Sequence, residues 1–379
     1  MYTYQKTRRF FAQHAEGLES VVVEELRELG VGNVEPSYLG VFFETDHAGL
    51  YRVNYRSQTI SRVLAPIITF DCHSDRYLYK TARNIDWSDF MAVDTTFAVS
   101  ATVSHSKITH SQYAALRLKD AIVDFFRDRY GKRPDVDTVN PDVSFNLHIQ
   151  GNRATISLDT SGGSLHRRGY RTAPVETPMQ ETLAGAIIRL SGWDGSRPLY
   201  DPMCGSGTLL CEALIRYCRI PASMFRPLFG LANLPDFDLA LWLQGRREAD
   251  AGIQPLPDGL IAGSDISAAA VAAARTNIGN LPGGSSVRVE RQDFRSLTGL
   301  EGRIIVCNPP YGIRSGNKEK MEELYHSLGE FLKHRCTGAE AYIYIGERSL
   351  LKHMALRKSW KMEMKNGGLD GILVKFELY

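Results

Sequence analysis

Two short stretches of the chain carry residue types that could do chemistry on a small planar group. The first is Asn308-Pro309-Pro310-Tyr311, which follows the apolar run at 303–307. Proline has no backbone N–H, so this loop presents carbonyl oxygens and the Asn308 side-chain oxygen as acceptors. Acceptors in this arrangement suit a planar NH₂ group, and Tyr311 offers a flat ring on which a flipped base could stack. The tetrapeptide therefore predicts chemistry on an amino or amide nitrogen.

The second stretch runs from Leu199 to Thr208 and joins a predicted strand to a predicted helix. Its two glycines allow a tight turn and leave room for a ligand against the backbone. A phosphate-binding P-loop is excluded because no Gly-Lys-Ser/Thr follows, and Leu210 stands where the dinucleotide pattern needs its third glycine. The loop therefore predicts a ligand without a phosphate, contacted by Asp201, Met203, Cys204, Gly205, Ser206 and Gly207.

Two further acidic residues end predicted strands. Asp265 closes the run GLIAGSDI and is the candidate contact to ribose hydroxyls, with Ile266 next to it. It lies 64 residues (265 − 201) after the acidic residue of the first loop, whereas about 20 is typical of nucleotide-binding α/β folds. We attribute the excess to an insertion at 219–258. Asp293 ends the following strand, where its carboxylate could accept from an adenine amino group with Phe294 beside the ring.

Both motifs resemble those of a known enzyme class. The string DPMCGSGT at 201–208 resembles the first motif of S-adenosylmethionine-dependent methyltransferases, and NPPY at 308–311 resembles the catalytic motif of amino-group methyltransferases. This resemblance implies S-adenosylmethionine as cofactor and a Rossmann-like class I α/β domain. It also implies catalytic roles for Asn308, Pro309, Pro310 and Tyr311, with Asn308 touching the cofactor as well. The NPPY motif alone leaves adenine N6, guanine N2 and the glutamine amide of release factors open as targets.

The N-terminal half supplies a second resemblance. Residues 106–126 resemble the signature helix of a THUMP domain, an RNA-binding module that follows a ferredoxin-like domain in these enzymes. Together with the runs at 164–171, 173–193 and 237–242, it resembles bacterial enzymes that methylate N2 of guanine 2445 in 23S ribosomal RNA, here with a single catalytic domain. The resemblance implies a ferredoxin-like domain at 1–65, a THUMP domain at 66–160, a basic linker at 161–172 and the methyltransferase domain at 173–379.

Further site residues follow from the same family. Pro178 and Thr182 match a helix that touches the carboxylate end of the cofactor. The linker has no acidic residue and a local charge of +3 from its three arginines, so it could lie against a phosphate backbone. The candidate RNA contacts are Lys107, His110, Arg117 and Lys119 in the THUMP helix region, and Arg167, Arg168 and Arg171 in the linker.

Composition excludes several other classes of protein. Lysine and arginine total 45 and aspartate and glutamate 43, so the net charge of +2 excludes nucleic-acid binding by bulk charge alone. The six cysteines form no C-x-x-C pair, which argues against a zinc site or any other metal. There is no apolar run of 18 residues and no apolar segment behind the basic start, so we expect a cytoplasmic protein without a membrane span or leader.

Alternative functions remain at this point. The nearest is guanine-N2 methylation of transfer RNA by a sister group with the same modules. A DNA adenine-N6 methyltransferase and a release-factor glutamine methyltransferase share the NPPY motif, but neither has a use for an RNA-binding module. A non-catalytic RNA-binding assembly factor is disfavoured because every cofactor and catalytic position is intact. The sequence leaves the oligomeric state open.

Overall fold

The computed structural model describes residues 1–173, 179–311 and 318–379. Within them, the N-terminal half is built from five helices and seven strands: α1 (Thr3–Thr7), β1 (Arg9–Gln13), α2 (Glu19–Glu28), β2 (Gly32–Ser37), β3 (Gly40–Glu44), α3 (His47–Arg56), β4 (Arg62–Asp71), α4 (Asp75–Ala82), β5 (Phe97–Ser104), α5 (Ser111–Tyr130), β6 (Val143–Gln150) and β7 (Arg153–Asp159). The seven strands form one sheet in the order β2-β3-β1-β4-β7-β6-β5.

Strand β4 connects the two predicted N-terminal domains. It pairs antiparallel with β1 on one side and with β7 on the other. The predicted boundary between 65 and 66 falls inside this strand, so the two units share one sheet across that point. A two-residue turn at Gly151-Asn152 joins β6 to β7, which pair antiparallel starting from Gln150 and Arg153.

The C-terminal half alternates strands and helices, as the sequence predicts. Its described elements are α6 (Glu181–Leu190), β8 (Leu199–Asp201), α7 (Thr208–Tyr217), α8 (Leu239–Ala251), β9 (Ile261–Asp265), α9 (Ala268–Gly279), β10 (Arg288–Arg291), β11 (Ile304–Cys307), α10 (Lys318–Arg335), β12 (Glu340–Ile345), β13 (Trp360–Asn366) and β14 (Leu369–Glu377). In the strand order β10-β9-β8-β11-β12-β14-β13 the first five strands are parallel, β14 is antiparallel to β12, and β13 is antiparallel to β14.

This order creates one point at which the chain reverses direction across the sheet. From β8 the chain moves outward through β9 and β10, and then returns to place β11 on the other side of β8. Loops that leave neighbouring strands in opposite directions open a crevice at the carboxyl edge, where ligands of such folds bind. The loops after β8 and β11 are the two motifs singled out in the sequence.

The insertion predicted at 219–258 packs against the N-terminal half. Helix α8 lies within it and places Trp242 edge-on to Tyr51 and Tyr55 of α3, with ring centroids 5.8 and 5.6 Å apart. The Tyr55 hydroxyl also donates to Asp250 at 2.7 Å. The insertion therefore links the C-terminal half to α3.

The linker at 161–172 is bound into the protein, which corrects one prediction. Arg168 is fully buried and forms an ion pair with Glu212 of α7 (Nε to Oε1, 3.4 Å). Its guanidinium also donates to the backbone oxygens of Ser57 and Leu165, each at 3.1 Å. The prediction that Arg168 contacts RNA is therefore wrong, because the partner that buries it lies 44 residues away in sequence and only folding brings it close.

The three linker arginines have different environments. Arg167 is exposed, and its RNA contact stays a prediction. Arg171 pairs with Glu181 at 2.9 Å and donates to Thr208 Oγ1 at 3.1 Å, with only 13% of its side chain accessible. Arg171 thus supports the start of α6 and α7, which leaves little of its guanidinium for RNA.

We predict that Arg168→Met destabilises the protein while Arg167→Met does not. Replacing Arg168 leaves the buried Glu212 carboxylate without its ion-pair partner, and burial already raises the pKa of Glu212 to about 7. Removing one partner of a buried ion pair lowers the free energy of unfolding by on the order of 3 kcal/mol. Urea unfolding at pH 8 measures the free energy of unfolding of both variants and of the wild type. The deficit should shrink at pH 5.5, where Glu212 can stay buried as the neutral acid. Equal stability of both variants at pH 8 would contradict a structural role for the pair.

Candidate active site

The loop after β8 is held by hydrogen bonds to the neighbouring strand β9. Cys204 N–H donates to the Ser264 carbonyl and Gly205 N–H to Asp265 Oδ2, each at 2.9 Å. Gly207 caps α7 with a φ of +81°, and a Cβ there would lie 3.2 Å from the Ala274 side chain. Glycine at 207 therefore serves the turn and the close approach of α9.

A cavity of about 530 Å³ opens at the carboxyl edge between the loops after β8 and β11. Its size lies within the range of small-molecule and cofactor sites. It brings together thirteen predicted site residues, which are Asp201, Met203, Cys204, Gly205, Ser206, Asp265, Ile266, Asp293, Phe294, Asn308, Pro309, Pro310 and Tyr311. Their roles as cofactor or catalytic contacts remain predictions.

Three predicted cofactor residues are not in this lining. Thr182 is buried within α6, and Gly207 lies behind the loop against α9. Pro178 lies outside the described residues. Conversely, sequence reasoning missed six lining residues, namely Met179, Pro202, Thr208, Leu209, Arg295 and Leu324. Five of them are adjacent in sequence to predicted residues or within a few positions of them, but Leu324 belongs to α10 and gave no local signal.

The carboxyl group of Asp201 is fully enclosed at the end of β8. Burial, reinforced by the nearby Asp265, raises its pKa to about 8, although Met203 N–H donates to it at 3.1 Å. At neutral pH this group is therefore largely protonated and orders the loop through hydrogen bonds. A cation bound beside it would lower that pKa, because an opposite charge favours the ionised form.

Asp265 is the more accessible carboxylate. It accepts from Gly205 N–H and Ser267 N–H, both at 2.9 Å, and it lines the cavity next to the exposed Ile266. A carboxylate has about four lone-pair sites, so two remain for a diol. This arrangement fits the predicted contact to ribose hydroxyls.

Asp293 and Phe294 lie further along the same edge. The Asp293 carboxylate accepts from Arg295 N–H at 2.9 Å and pairs with the Arg295 guanidinium at 3.0 Å. Phe294 is mostly buried, with its ring edge-on to Phe331 at 5.5 Å. The negative charge of Asp293 is therefore partly neutralised by Arg295, a residue that the sequence pattern did not single out.

The catalytic-loop candidate carries an unsatisfied acceptor. Asn308 Oδ1 is buried and has no hydrogen-bond partner among the described residues. Buried acceptors without partners are uncommon in folded proteins, and an oxygen of this kind in a cavity wall could accept from a bound ligand. The Tyr311 ring lies against Gly346 just beyond β12, where a Cβ would come within 2.6 Å of it. Because Gly346 has no side chain, the Tyr311 ring can occupy this position.

The predicted RNA contacts of the THUMP region differ in their surroundings. Lys107 and His110 are exposed just before α5. Arg117 lies 3.6 Å from Asp75 and 4.8 Å above the Tyr79 ring, and Lys119 pairs at 2.6 Å with an aspartate of α5. Lys107 and His110 thus have no competing ion pair within the described residues, and all four contacts stay predictions.

Within the described ranges, no group of three or more His, Cys, Asp or Glu residues is arranged to hold a metal ion. In the same part of the chain, no helix is both long enough and apolar enough to span a bilayer.

Comparison with known families identifies the C-terminal half. Residues 168–375 match the model of the RMKL-like methyltransferase domain, which covers more than half of the chain. The protein belongs to the RMKL-like methyltransferase family. Residues 73–159 match the THUMP domain, and residues 9–64 match the RlmL ferredoxin-like domain. As an RMKL-like methyltransferase, the chain carries an RNA-binding type of module fused to its catalytic domain.

Similar proteins extend along nearly the whole chain. A putative RNA methyltransferase from Synechocystis sp., slr0064, is 40% identical over 98% of this chain and 97% of its own length. The ribosomal RNA large subunit methyltransferase K/L of Syntrophotalea carbinolica is 38% identical over 98% of this chain and 53% of its own. This RMKL-like protein therefore spans about half the length of the K/L relatives.

Solved structures support the same family. SMU.472, a putative methyltransferase complexed with SAH, superposes with a TM-score of 0.85 at 26% identity over 98% of both chains. A predicted N6-adenine-specific DNA methylase from Listeria monocytogenes gives 0.84 at 25% identity, over 99% of this chain and 97% of its own. This RMKL-like protein is an S-adenosylmethionine-dependent methyltransferase, and the diol-compatible Asp265 fits the ribose of that cofactor.

We predict that Asp265→Ala weakens binding of S-adenosylhomocysteine by 10- to 100-fold, because charged hydrogen bonds contribute about 1.5–3 kcal/mol. Isothermal titration calorimetry measures the affinity. Asp258→Ala, an exposed position just before β9, is the matched control and should bind like the wild type. Unfolding curves check that Asp265→Ala, which loses its bond to Gly205 N–H, is still folded. Unchanged affinity would place the ribose contact elsewhere.

Proposed function

We propose that this protein transfers a methyl group from S-adenosylmethionine to the N2 amine of a guanine in 23S ribosomal RNA. The observation that carries the catalytic part is the buried, unpaired Asn308 Oδ1 in the cavity wall. The choice of RNA is supported by the THUMP match and by K/L relatives that are 38% and 34% identical to nearly the whole chain. Their names describe methylation of large-subunit ribosomal RNA.

The loop after β11 is suited to hold an amine. Asn308 Oδ1 accepts one hydrogen of the target NH₂ group and the Pro309 carbonyl accepts the other, since the two prolines leave only acceptors there. Accepting both hydrogens turns the nitrogen lone pair toward the bound cofactor, which supplies an electrophilic methyl group. The flat face of Tyr311 stacks on the extruded base and keeps it in that orientation.

The reaction needs no strong base from this chain. An exocyclic amine becomes acidic only after it has gained the methyl group, and its extra proton can then pass to water. Asp201 is poorly suited to be the base, because burial raises its pKa to about 8 and its carboxyl group is engaged by Met203 N–H. Catalysis therefore depends on orientation and on acceptors that stabilise the charge developing on the amine.

A substrate assay tests this function directly. The purified protein is incubated with S-adenosylmethionine and, separately, with unmodified 23S ribosomal RNA transcript, transfer RNA transcripts and an adenine-containing DNA duplex. Nucleoside mass spectrometry is expected to find N2-methylguanosine in the 23S transcript. Methylation of transfer RNA alone would favour the sister activity. N6-methyladenine in DNA would favour the activity named for the Listeria monocytogenes protein, and either result would overturn the proposal.

We predict that Asn308→Ala lowers kcat about 100-fold, because losing one acceptor of developing charge costs on the order of 3 kcal/mol in the transition state. S-adenosylhomocysteine affinity should change little, as calorimetry would show. Asn308→Asp keeps the acceptor oxygens and should retain more activity than Asn308→Ala. Wild-type turnover of the alanine variant on the preferred RNA would mean that this loop is not catalytic.

A further inference from the structure

We propose that the segment Arg348–Lys361, called here the basic segment, binds the phosphodiester backbone of the substrate RNA beside the active site. Its sequence RSLLKHMALRKSWK contains five lysines and arginines, one histidine and no acidic residue. The whole chain carries a net charge of only +2, so this run is a local concentration of positive charge. The proposal rests on RNA being the substrate and adds a surface that neither the motifs nor the family matches assign.

The basic segment starts at the same edge of the sheet as the catalytic loop. Strands β11 and β12 are parallel neighbours, so the loops that follow them leave the sheet side by side. Tyr311 in the first loop lies against Gly346 in the second, so close that a Cβ on Gly346 would overlap the ring. Arg348 follows two residues later. A strand of RNA whose base reaches Tyr311 would therefore pass close to the start of the segment.

The segment is anchored by apolar side chains. Its first half is a 3₁₀ helix, Arg348–Met354, that buries Leu350 and Met354 in the same core as α10 and β12. The Met354 carbonyl lies so close to Gly329 of α10 that a Cβ on that residue would overlap it. The basic side chains consequently project from a fixed backbone, which reduces the entropy lost when they order on a ligand.

Most of the positive charges have no competing ion pair. Lys352, Arg357, Lys358 and Lys361 are exposed and form no ion pair within the described residues. The exceptions are Arg348, which pairs with Glu363 at 2.9 Å, and His353, which lies 3.5 Å from Glu322. Exposed cations held near one another without anions repel, and a phosphate backbone relieves that repulsion while releasing its counterions.

Two of the charges, Arg348 and Lys361, share one face of the sheet. On β13, Met362 and Met364 pack toward the larger core, so Lys361 and Glu363 point to the opposite face. Arg348 reaches Glu363 on that face. The segment thus runs from the catalytic edge, along α10, to the outer strand β13.

The test compares two doubly neutralised variants of the full chain. Lys352→Gln/Lys358→Gln removes two charges of the segment. Lys6→Gln/Arg247→Gln removes two exposed charges outside the segment that likewise form no ion pair within the described residues, since Lys6 lies in α1 and Arg247 in α8. Binding of 23S ribosomal RNA transcript is measured by filter retention from 50 to 300 mM KCl, and S-adenosylhomocysteine binding by calorimetry.

We expect the segment variant to bind RNA more weakly, with a salt slope shallower by about one unit for each phosphate that the variant no longer neutralises. The KM for RNA should rise while kcat and cofactor affinity stay at wild-type values. The control variant should keep the wild-type slope. Equal slopes for the two variants would overturn the proposal.

The outcome can be separated from the fate of the proposed function. If the wild type methylates transfer RNA and not the 23S transcript, the same slopes are measured on transfer RNA. A shallower slope there supports the basic segment although the proposed substrate is wrong. If the 23S transcript is methylated and the segment variant retains the wild-type slope and KM, the function is supported and the basic segment is excluded.

Discussion

The position of β8 between β9 and β11 is the constraint on which the rest of the site depends. Loops leaving β8 and β11 diverge there, so the cavity opens where the glycine loop and the Asn-Pro-Pro-Tyr loop face each other. The glycine loop is then fixed by its bonds to β9, and the second loop is placed by the contact between Tyr311 and Gly346. In the proposed reaction neither loop would suffice alone, because one is predicted to provide cofactor contacts and the other acceptors for an amine.

Buried charge fixes the N-terminal half against this catalytic half. Arg168 and Glu212 are both inaccessible to water, and Glu25 of α2 pairs with Arg189 of α6 at 3.1 Å. Coulombic attraction from Arg189 and several hydrogen bonds hold the pKa of Glu25 below its usual value in spite of its burial. Such pairs contribute little net stability compared with apolar contacts, but a misdocked arrangement would leave them unpaired. They therefore favour one relative placement of the RNA-binding module and the active site.

Burial also decides which basic side chains remain at the surface. Several arginines that could bind RNA from their sequence positions instead form contacts within the protein. Arg168 and Arg171 hold the linker in place, and Arg226 donates to four backbone oxygens between Ser161 and Arg167. The segment after β12 adds exposed lysines and arginines beside the loop that carries Tyr311. RNA recognition in a nearly neutral chain depends on where charge is exposed, and composition alone does not report that.

The sequence by itself determined the local parts of this protein. The resemblance of residues 106–126 to a THUMP signature helix predicted the region of the long helix α5, and the resemblance of the two motifs predicted a methyltransferase domain with thirteen residues that the cavity brings together. The tertiary structure alone decided that Arg168 is buried by Glu212, that β4 joins two predicted domains in one sheet, and that Leu324 and Gly346 complete the site. Local patterns reflect backbone preferences and the side on which a residue is buried, whereas these contacts join residues tens of positions apart, and only packing of the whole chain selects them.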